Sequence, residues 1–429
     1  MSARRVVVVG GGFGGLRVVR GLRHADVEVT LVDRQNYTLF QPLVYQVATG
    51  ALSPAEIAVP LRSIVRRQQN ARVVLAEATG FALDQREVEL DGHENITYDV
   101  LVVAGGSRYS YFGHDEWQKD APEIKSLGGA LDIRTRILSA FEAAELEADP
   151  ERKRSLLTFV VVGGGPTGVE MAGQIAELAR DTVRRDFRSV DTGTARVLLV
   201  ESGDRLLRMF PESLSRKAEA ALGKLGVTTL TGHTVVGVTP DSVSIQPPDG
   251  DVGEVPARTA IWAAGVTASQ LARRLAWEAG LEVDRAGRIE VGDDLTLPGY
   301  PDVYALGDMV TVGGRQLPGL APVAMQQGHY VAKAIRGHTH RPFRYVDKGN
   351  LATIGRSQAV ADVKGIHLSG FVAWALWLLV HLVYLIGFQN RLLVVLRWTI
   401  SFATRGRGAR LIVENSTDER SRRWLTPSW

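Results

Sequence analysis

Two short stretches of this sequence place glycine where a phosphate could be held. Gly10, Gly12 and Gly15 follow the apolar run Val6 to Val9, and Gly163, Gly165 and Gly168 follow Thr158 to Val162. In such a loop the first glycine allows a tight turn, the second lets backbone approach a pyrophosphate, and the third lets helix and strand pack closely. The phosphates then rest on free N–H groups at a helix N-terminus. Each unit reaches a second apolar strand ending in an acid, Val27 to Asp33 and Ala195 to Glu201. Asp33 lies 23 residues beyond Gly10, a distance at which a carboxylate accepts hydrogen bonds from a ribose diol. Glu201 would do the same in the second unit and repel a 2′-phosphate, which favours NADH over NADPH; the nearby Arg205 works the other way. Glu170 stands two residues past Gly168. It has two readings: a first-turn carboxylate favoured by the helix dipole, or a contact to the nicotinamide end of a bound cofactor.

These residues need strand–loop–helix units to position them, and the pattern supplies two. Asp99 to Gly106 is a further buried strand running into glycines, with Thr259 to Gly265 as its counterpart and Asp302 to Asp308 near the end. Segments 130–148 and 213–225 predict amphipathic helices, 180–194 a helix extension or surface loop, and 240–251 a turn-rich hairpin. The expected fold class is α/β, with two Rossmann-like dinucleotide-binding domains and a C-terminal helical membrane-associating region. Expected boundaries are 1–115 and 276–370 for the first domain, 116–154 for a helical connection, 155–275 for the second domain, and 371–429 for the C-terminal region. Two nucleotide sites in one chain allow a nicotinamide to give a hydride to a flavin, which passes electrons on.

Phe371 to Phe388 carries no formal charge over 18 residues, at the short edge of the roughly 17–25 needed for a span. Trp374, Trp377 and Tyr384 are interface-type aromatics, and Arg391, Arg397 and the cluster Arg405 to Arg410 flank the run. With the apolar stretch 392–403, this predicts one or two helices lying in one leaflet, against the alternative of a buried core helix. Charge agrees: residues 389–429 hold eight Arg, no Lys and three acids, whereas the rest of the chain carries 42 basic and 44 acidic residues. A near-neutral body with a basic tail implies a polyanionic partner. The lipid-like helix next to it favours a membrane surface over nucleic acid.

Composition excludes other classes. The chain has 429 residues, 45% of them hydrophobic and 23% charged, which rules out disorder and low complexity. It has no Cys. That removes disulfides, thiolate metal sites and dithiol relays, and with them the usual mechanisms of disulfide and sulfide reductases. The nine His show no ligand spacing, so no metal site is expected. The residues before Val6 do not read as a signal peptide, so the body is expected in the cytosol.

With these motifs in view, the sequence resembles the type II NADH:quinone oxidoreductases over nearly its whole length. The resemblance lies in segments 40–50 (FQPLVYQVATG), 163–170 (GGGPTGVE), 305–308 (ALGD), 324–328 (AMQQG) and 387–391 (GFQNR), together with the Arg407 to Arg410 tail. It implies a glutathione-reductase-like flavoprotein topology, non-covalent FAD, NADH as donor, a membrane quinone as acceptor, and a homodimer held peripherally on the cytoplasmic face of the membrane. It implies FAD contacts from Gly10, Gly12, Phe13, Gly14, Gly15, Asp33, Arg34, Thr49, Ala104, Gly105, Gly106, Asp308 and Ala324. NADH contacts would come from Gly163, Gly165, Pro166, Thr167, Gly168, Glu170, Glu201, Ala264 and Gly265. Quinone would meet Tyr45, Gln46, Gln326 and Gln327, with Glu170 and Gln326 as catalytic residues and Thr49 lining the same pocket. The family's Ala-Gln-x-Ala-x-Gln motif reads Ala321-Pro-Val-Ala-Met-Gln326 here, so Pro322 removes one expected quinone contact. The Ala-Thr-Gly usual after the middle strand is Ala104-Gly-Gly106. Two alternatives stand beside this function: a reductase of the same scaffold with another acceptor, and a membrane-tethered nucleotide sensor with little turnover.

Overall fold

β-Branched runs make the strands that carry both loops. Val6 to Val9 and Thr158 to Val162 are buried along their length, as strands covered on both faces must be. A computed structural model describes residues 3–339 and 341–412 of the chain. The last 17 residues of the expected basic tail, 413–429, lie outside the described residues.

The chain forms two units. The first comprises residues 1–39, 58–108 and 266–347; the second comprises 40–57, 109–265 and 348–429. Segments 40–57 and 348–370 therefore group with the second nucleotide loop, whereas the sequence reading put them with the first. In the first unit a six-stranded sheet runs in the order Thr296–Leu297, Tyr300–Ala305, Val100–Val103, Arg4–Val9, Val27–Asp33, Ala71–Leu75. All neighbours are parallel except the first pair. The returning strand Tyr300–Ala305 thus lies beside Val100–Val103, as expected of the segment leading to Asp308. Helices Phe13–Gly21 and Ala321–Ile335 pack together closely: a Cβ on Gly328 would collide with the Gly14 carbonyl oxygen.

In the second unit four parallel strands run in the order Val227–Thr231, Arg196–Glu201, Thr158–Val162, Thr259–Trp262. Segment 240–251, expected as a turn-rich hairpin, holds the middle strand Ser242–Gln246 of a three-stranded antiparallel sheet and the turns on either side of it. The helix expected at 130–148 spans Leu127–Leu146, its N-terminus capped by the Ser126 hydroxyl accepting from the Gly129 N–H.

The C-terminal part of this unit is a three-stranded antiparallel sheet (Asn350–Gly355, Gln358–Val363, Ile366–Ser369) followed by two helices, Phe371–Tyr384 and Phe388–Thr404. Gly387, at φ +91°, makes the turn between the helices. Among the described residues no helix is long and apolar enough to cross a membrane. Nor are these core helices, because Val372, Leu379, Val383, Phe388, Leu392 and Leu396 are all more than half exposed. Trp377, expected at a lipid interface, is instead buried between the helices, with its ring 4.1 Å from His381 and 5.8 Å from Trp398.

Candidate functional site

The two glycine loops repeat one geometry. Gly10 and Gly163 sit at φ +103° and +110°, where a side chain would be strained. A Cβ on Gly15 would strike the Gly10 carbonyl oxygen, and one on Gly168 would strike that of Gly163. Beside Gly12 and Gly165 a Cβ would meet nothing within 4 Å. These glycines N-cap helices Phe13–Gly21 and Pro166–Glu177, and neither cap makes a side-chain hydrogen bond. Such an open, donor-rich end is what a pyrophosphate requires.

The acids also match. Asp33 accepts hydrogen bonds from the Gly11 N–H at 2.5 Å and the Gln35 N–H at 2.7 Å. Glu201 accepts from the Gly164 N–H at 2.6 Å and the Gly203 N–H at 2.7 Å. Each carboxylate therefore holds its loop before it holds a ribose. Two carboxylate oxygens offer about four acceptor sites, which leaves sites for a diol. Burial pushes the Asp33 carboxyl above its usual range, against the opposing hydrogen bonds from Gln35 and Gly11.

Around the first loop the structure gathers most of the residues assigned to one nucleotide. The Ala104 carbonyl closes on Gly10. The Gly105 N–H points at the Met309 sulfur, 3.1 Å away, and Asp308 accepts from the Ser107 hydroxyl at 2.6 Å. Ala324 lies against Gly14. Arg34 points outward to Glu77 at 3.9 Å, with 70% of its side chain exposed. Thr49 belongs to the second unit. It is buried there, and its hydroxyl donates to the Tyr45 carbonyl at 2.9 Å.

Around the second loop, Ala263 and Ala264 abut Gly163, and Gly265 lies under the ring of Phe112. Glu170 overturns its helix-dipole reading. It is the fifth residue of its helix rather than a first-turn acid, and it is buried. Burial raises its pKa to about 8, against a long backbone hydrogen bond from the Thr353 N–H at 3.4 Å. Glu170 therefore keeps its proton at neutral pH.

The glutamines expected at the quinone have backbone duties. In the first unit the Gln326 amide donates to the Val346 carbonyl at 2.9 Å and accepts from the Val346 N–H at 3.0 Å. The buried Gln327 amide oxygen accepts from the Gly307 N–H at 2.7 Å. Both amide oxygens are thus engaged by backbone N–H groups, and a quinone carbonyl, itself an acceptor, would call on the amide N–H donors. In the second unit the Gln46 amide donates to the Tyr45 hydroxyl oxygen at 3.0 Å, and its carbonyl accepts from the Trp398 indole at 2.8 Å. Burial, followed by the proximity of Glu170, raises the Tyr45 pKa well above its ordinary value, so the phenol stays protonated.

The described part of the basic tail is not free for a polyanion. Arg397 pairs with Glu56 at 3.1 Å, Arg405 with Asp181 at 3.5 Å, Arg407 with Glu177 at 3.6 Å, and Arg410 with Asp186. Arg391 donates to the Leu385 and Val383 carbonyls at 2.8 Å each, the groups left open at a helix C-terminus. Arg407 is the innermost, with 4% of its side chain exposed. It also donates to the Thr49 and Gln174 carbonyls at 3.1 Å. Burial lowers its pKa to about 10, opposed by Glu177, so it remains charged at neutral pH. Residues 405–410 therefore form a strap that supports the segment carrying Tyr45, Gln46 and Thr49.

Comparison with known proteins agrees with these loops. The sequence matches the pyridine nucleotide-disulphide oxidoreductase family over residues 4–328 and the NDH2 C-terminal domain over residues 348–407. It is 45% identical to the type II NADH:quinone oxidoreductase Ndh of Mycobacterium tuberculosis, over 97% of this chain and 92% of that one. The NDH2 of Plasmodium falciparum, solved in complex with NADH, superposes with a TM-score of 0.87 at 20% identity, covering 96% of this chain and 100% of that one. The sulfide:quinone oxidoreductase of Aquifex aeolicus superposes at 0.71 and 19% identity, covering 91% and 92%. These two structural likenesses bear on the fold alone. The chain belongs to the pyridine nucleotide-disulphide oxidoreductases and, within them, to the type II NADH:quinone oxidoreductases. It does so without a single cysteine.

Proposed function

We propose that this member of the family passes two electrons from NADH through a non-covalently held FAD to a membrane quinone. The observation that carries the reading is the duplicated cradle: two open helix N-termini, each with an acid bonded to the second loop amide. The first cradle fits the FAD pyrophosphate and ribose, with Asp308 and Ala104 to Gly106 nearby. When bound there, FAD supplies the means to accept a hydride and release electrons to another acceptor. The second cradle takes NADH, with its adenosine ribose on Glu201 and its pyrophosphate over Gly163 to Gly168. Glu170, neutral at pH 7, is able to donate a hydrogen bond to the nicotinamide carboxamide.

On the quinone side, Tyr45 is oriented by Gln46, and Gln46 by Trp398 of the last helix. Tyr45 keeps a hydroxyl proton to donate to a quinone carbonyl, and such a donor stabilises charge developing on that oxygen. The exposed apolar faces of the last two helices support attachment to one leaflet. We place this attachment on the cytoplasmic face and expect a homodimer.

The test is anaerobic. The full-length protein in mild detergent is mixed with NADH while flavin absorbance is followed, and a short-chain quinone is then added. Bleaching by NADH and rapid recovery with quinone are expected. Absence of flavin absorbance after purification overturns the FAD assignment. Bleaching without recovery overturns the quinone.

A further inference from the structure

Phe112 stands apart from the other large apolar residues near the second cradle. It is 67% exposed, and its backbone sits at φ +54°, a left-handed conformation that side chains rarely adopt. The surroundings hold it there. The Ser110 hydroxyl accepts from the Phe112 N–H at 3.1 Å, and the Ser110 carbonyl accepts from the Trp262 indole at 3.0 Å. Trp262 is itself buried and stacked on Tyr111, with ring centres 4.9 Å apart. Strain kept in place by buried neighbours while the side chain is left in solvent has a use when a ligand meets that side chain.

The sheet order says which part of a ligand that is. Parallel sheets bind ligands beyond the carboxyl ends of their strands. Here Glu201 ends one strand, Gly163 follows the next, and Ala263 to Gly265 follow the third. A dinucleotide with its adenosine on Glu201 and its pyrophosphate on the Gly163 loop continues toward Gly265. The Phe112 ring covers Gly265 so closely that a Cβ there would strike it.

We infer that Phe112 forms an apolar wall for the nicotinamide half of NADH. The inference rests on the assignment of the second cradle to NADH. An exposed aromatic face offers the nicotinamide ring and its ribose a flat surface to pack on. It also keeps water from that side of the hydride-bearing carbon. Gly265, at φ +67°, has no side chain and leaves room for the Phe112 ring.

The test compares NAD⁺ with ADP-ribose, which lacks nicotinamide, by titration calorimetry on the flavin-loaded full-length protein in detergent. Phe112→Gly removes the ring and suits the left-handed backbone, so its Tm should stay the same or rise. It should weaken NAD⁺ binding about five- to tenfold, the effect of losing one aromatic contact. ADP-ribose binding should stay within about twofold of wild type. Phe112→Trp should restore NAD⁺ binding. Unchanged NAD⁺ affinity in Phe112→Gly overturns the inference alone, as does equal weakening of both ligands or a lowered Tm. Failure of the wild-type protein to bind either ligand overturns the NADH assignment and the inference with it.

Discussion

Moving this protein from neutral to anionic vesicles should strengthen its membrane binding by less than about tenfold. Five arginines lie between Arg391 and Arg410, with no acid among them. Were all five free to face an anionic leaflet, each would add about 1 kcal/mol. Together that is about 5 kcal/mol, a preference of several thousandfold. Four of them instead sit beside Glu56, Asp181, Glu177 and Asp186, and a closed pair presents no net charge at a distance. Among the described residues, only Arg391 of the five lacks a carboxylate, which leaves about 1 kcal/mol, or roughly fivefold. Residues 413–429 add three arginines and three acids, so they do not change the balance. The assay is co-flotation of the full-length protein with phosphatidylcholine vesicles and with vesicles containing phosphatidylglycerol, in low and high salt. Binding should persist in high salt, where exposed charges are screened. Leu392→Lys with Leu396→Lys should release the protein from both vesicles. A preference for anionic vesicles above about a hundredfold that collapses in salt would refute the reasoning. It would mean that the pairs open at the membrane.

Three further outcomes follow from the second unit. Arg407→Met leaves Glu177 buried without its partner, a loss of about 3–5 kcal/mol, and should lower Tm by roughly 6 °C or more. Adding Glu177→Gln should recover much of that, and a fall under about 1 °C for the single variant would contradict the pairing. Glu170 is lifted from an ordinary value of 4.5 to about 8. The folded chain therefore holds a proton that the unfolded chain has released, and this contribution is full below pH 4.5 and is lost as pH rises to about 8. The slope is roughly 1.4 kcal/mol per pH unit. Glu170→Gln should flatten the Tm profile between pH 5 and 8, and parallel profiles would refute the shift. Glu201→Gln keeps an acceptor for the loop but removes the charge that repels a 2′-phosphate. It should narrow the kcat/KM preference for NADH over NADPH by about tenfold or more, and an unchanged ratio would refute Glu201 as the discriminating group.

Much of the fold was legible because its signals are local. A β-branched run, a glycine triplet and an acid at the end of the next strand lie close together in sequence. Their spacing requires a particular backbone wherever the unit sits. The loops, the parallel strands and the helices after them accordingly stand where the spacing put them. The apolar run from Phe371 was legible as well, although the helix pair buries Trp377 and turns other side chains outward. The second duty of Asp33 and Glu201, holding Gly11 and Gly164, left no mark in the spacing that could separate it from ribose binding. Phe112 was missed because its one signal is a backbone angle.

The C-terminal arginines mark where reading by spacing ends. Their sequence shows a cluster of positive charge, and a charge carries no record of its partner. Arg397 meets Glu56 across 341 positions, and Trp398 meets Gln46 across 352. Nothing in the sequence around Glu56 points to an arginine so far along the chain. Gln326 also meets a partner that its type does not announce, the Val346 backbone. Spacing along the chain determined which backbone could cradle a phosphate, because that chemistry is complete within about 25 residues. Which charges remain for a membrane depends on pairings across hundreds of residues. Only the folded chain closes those pairings, because the low dielectric of the interior makes an unpartnered buried charge costly.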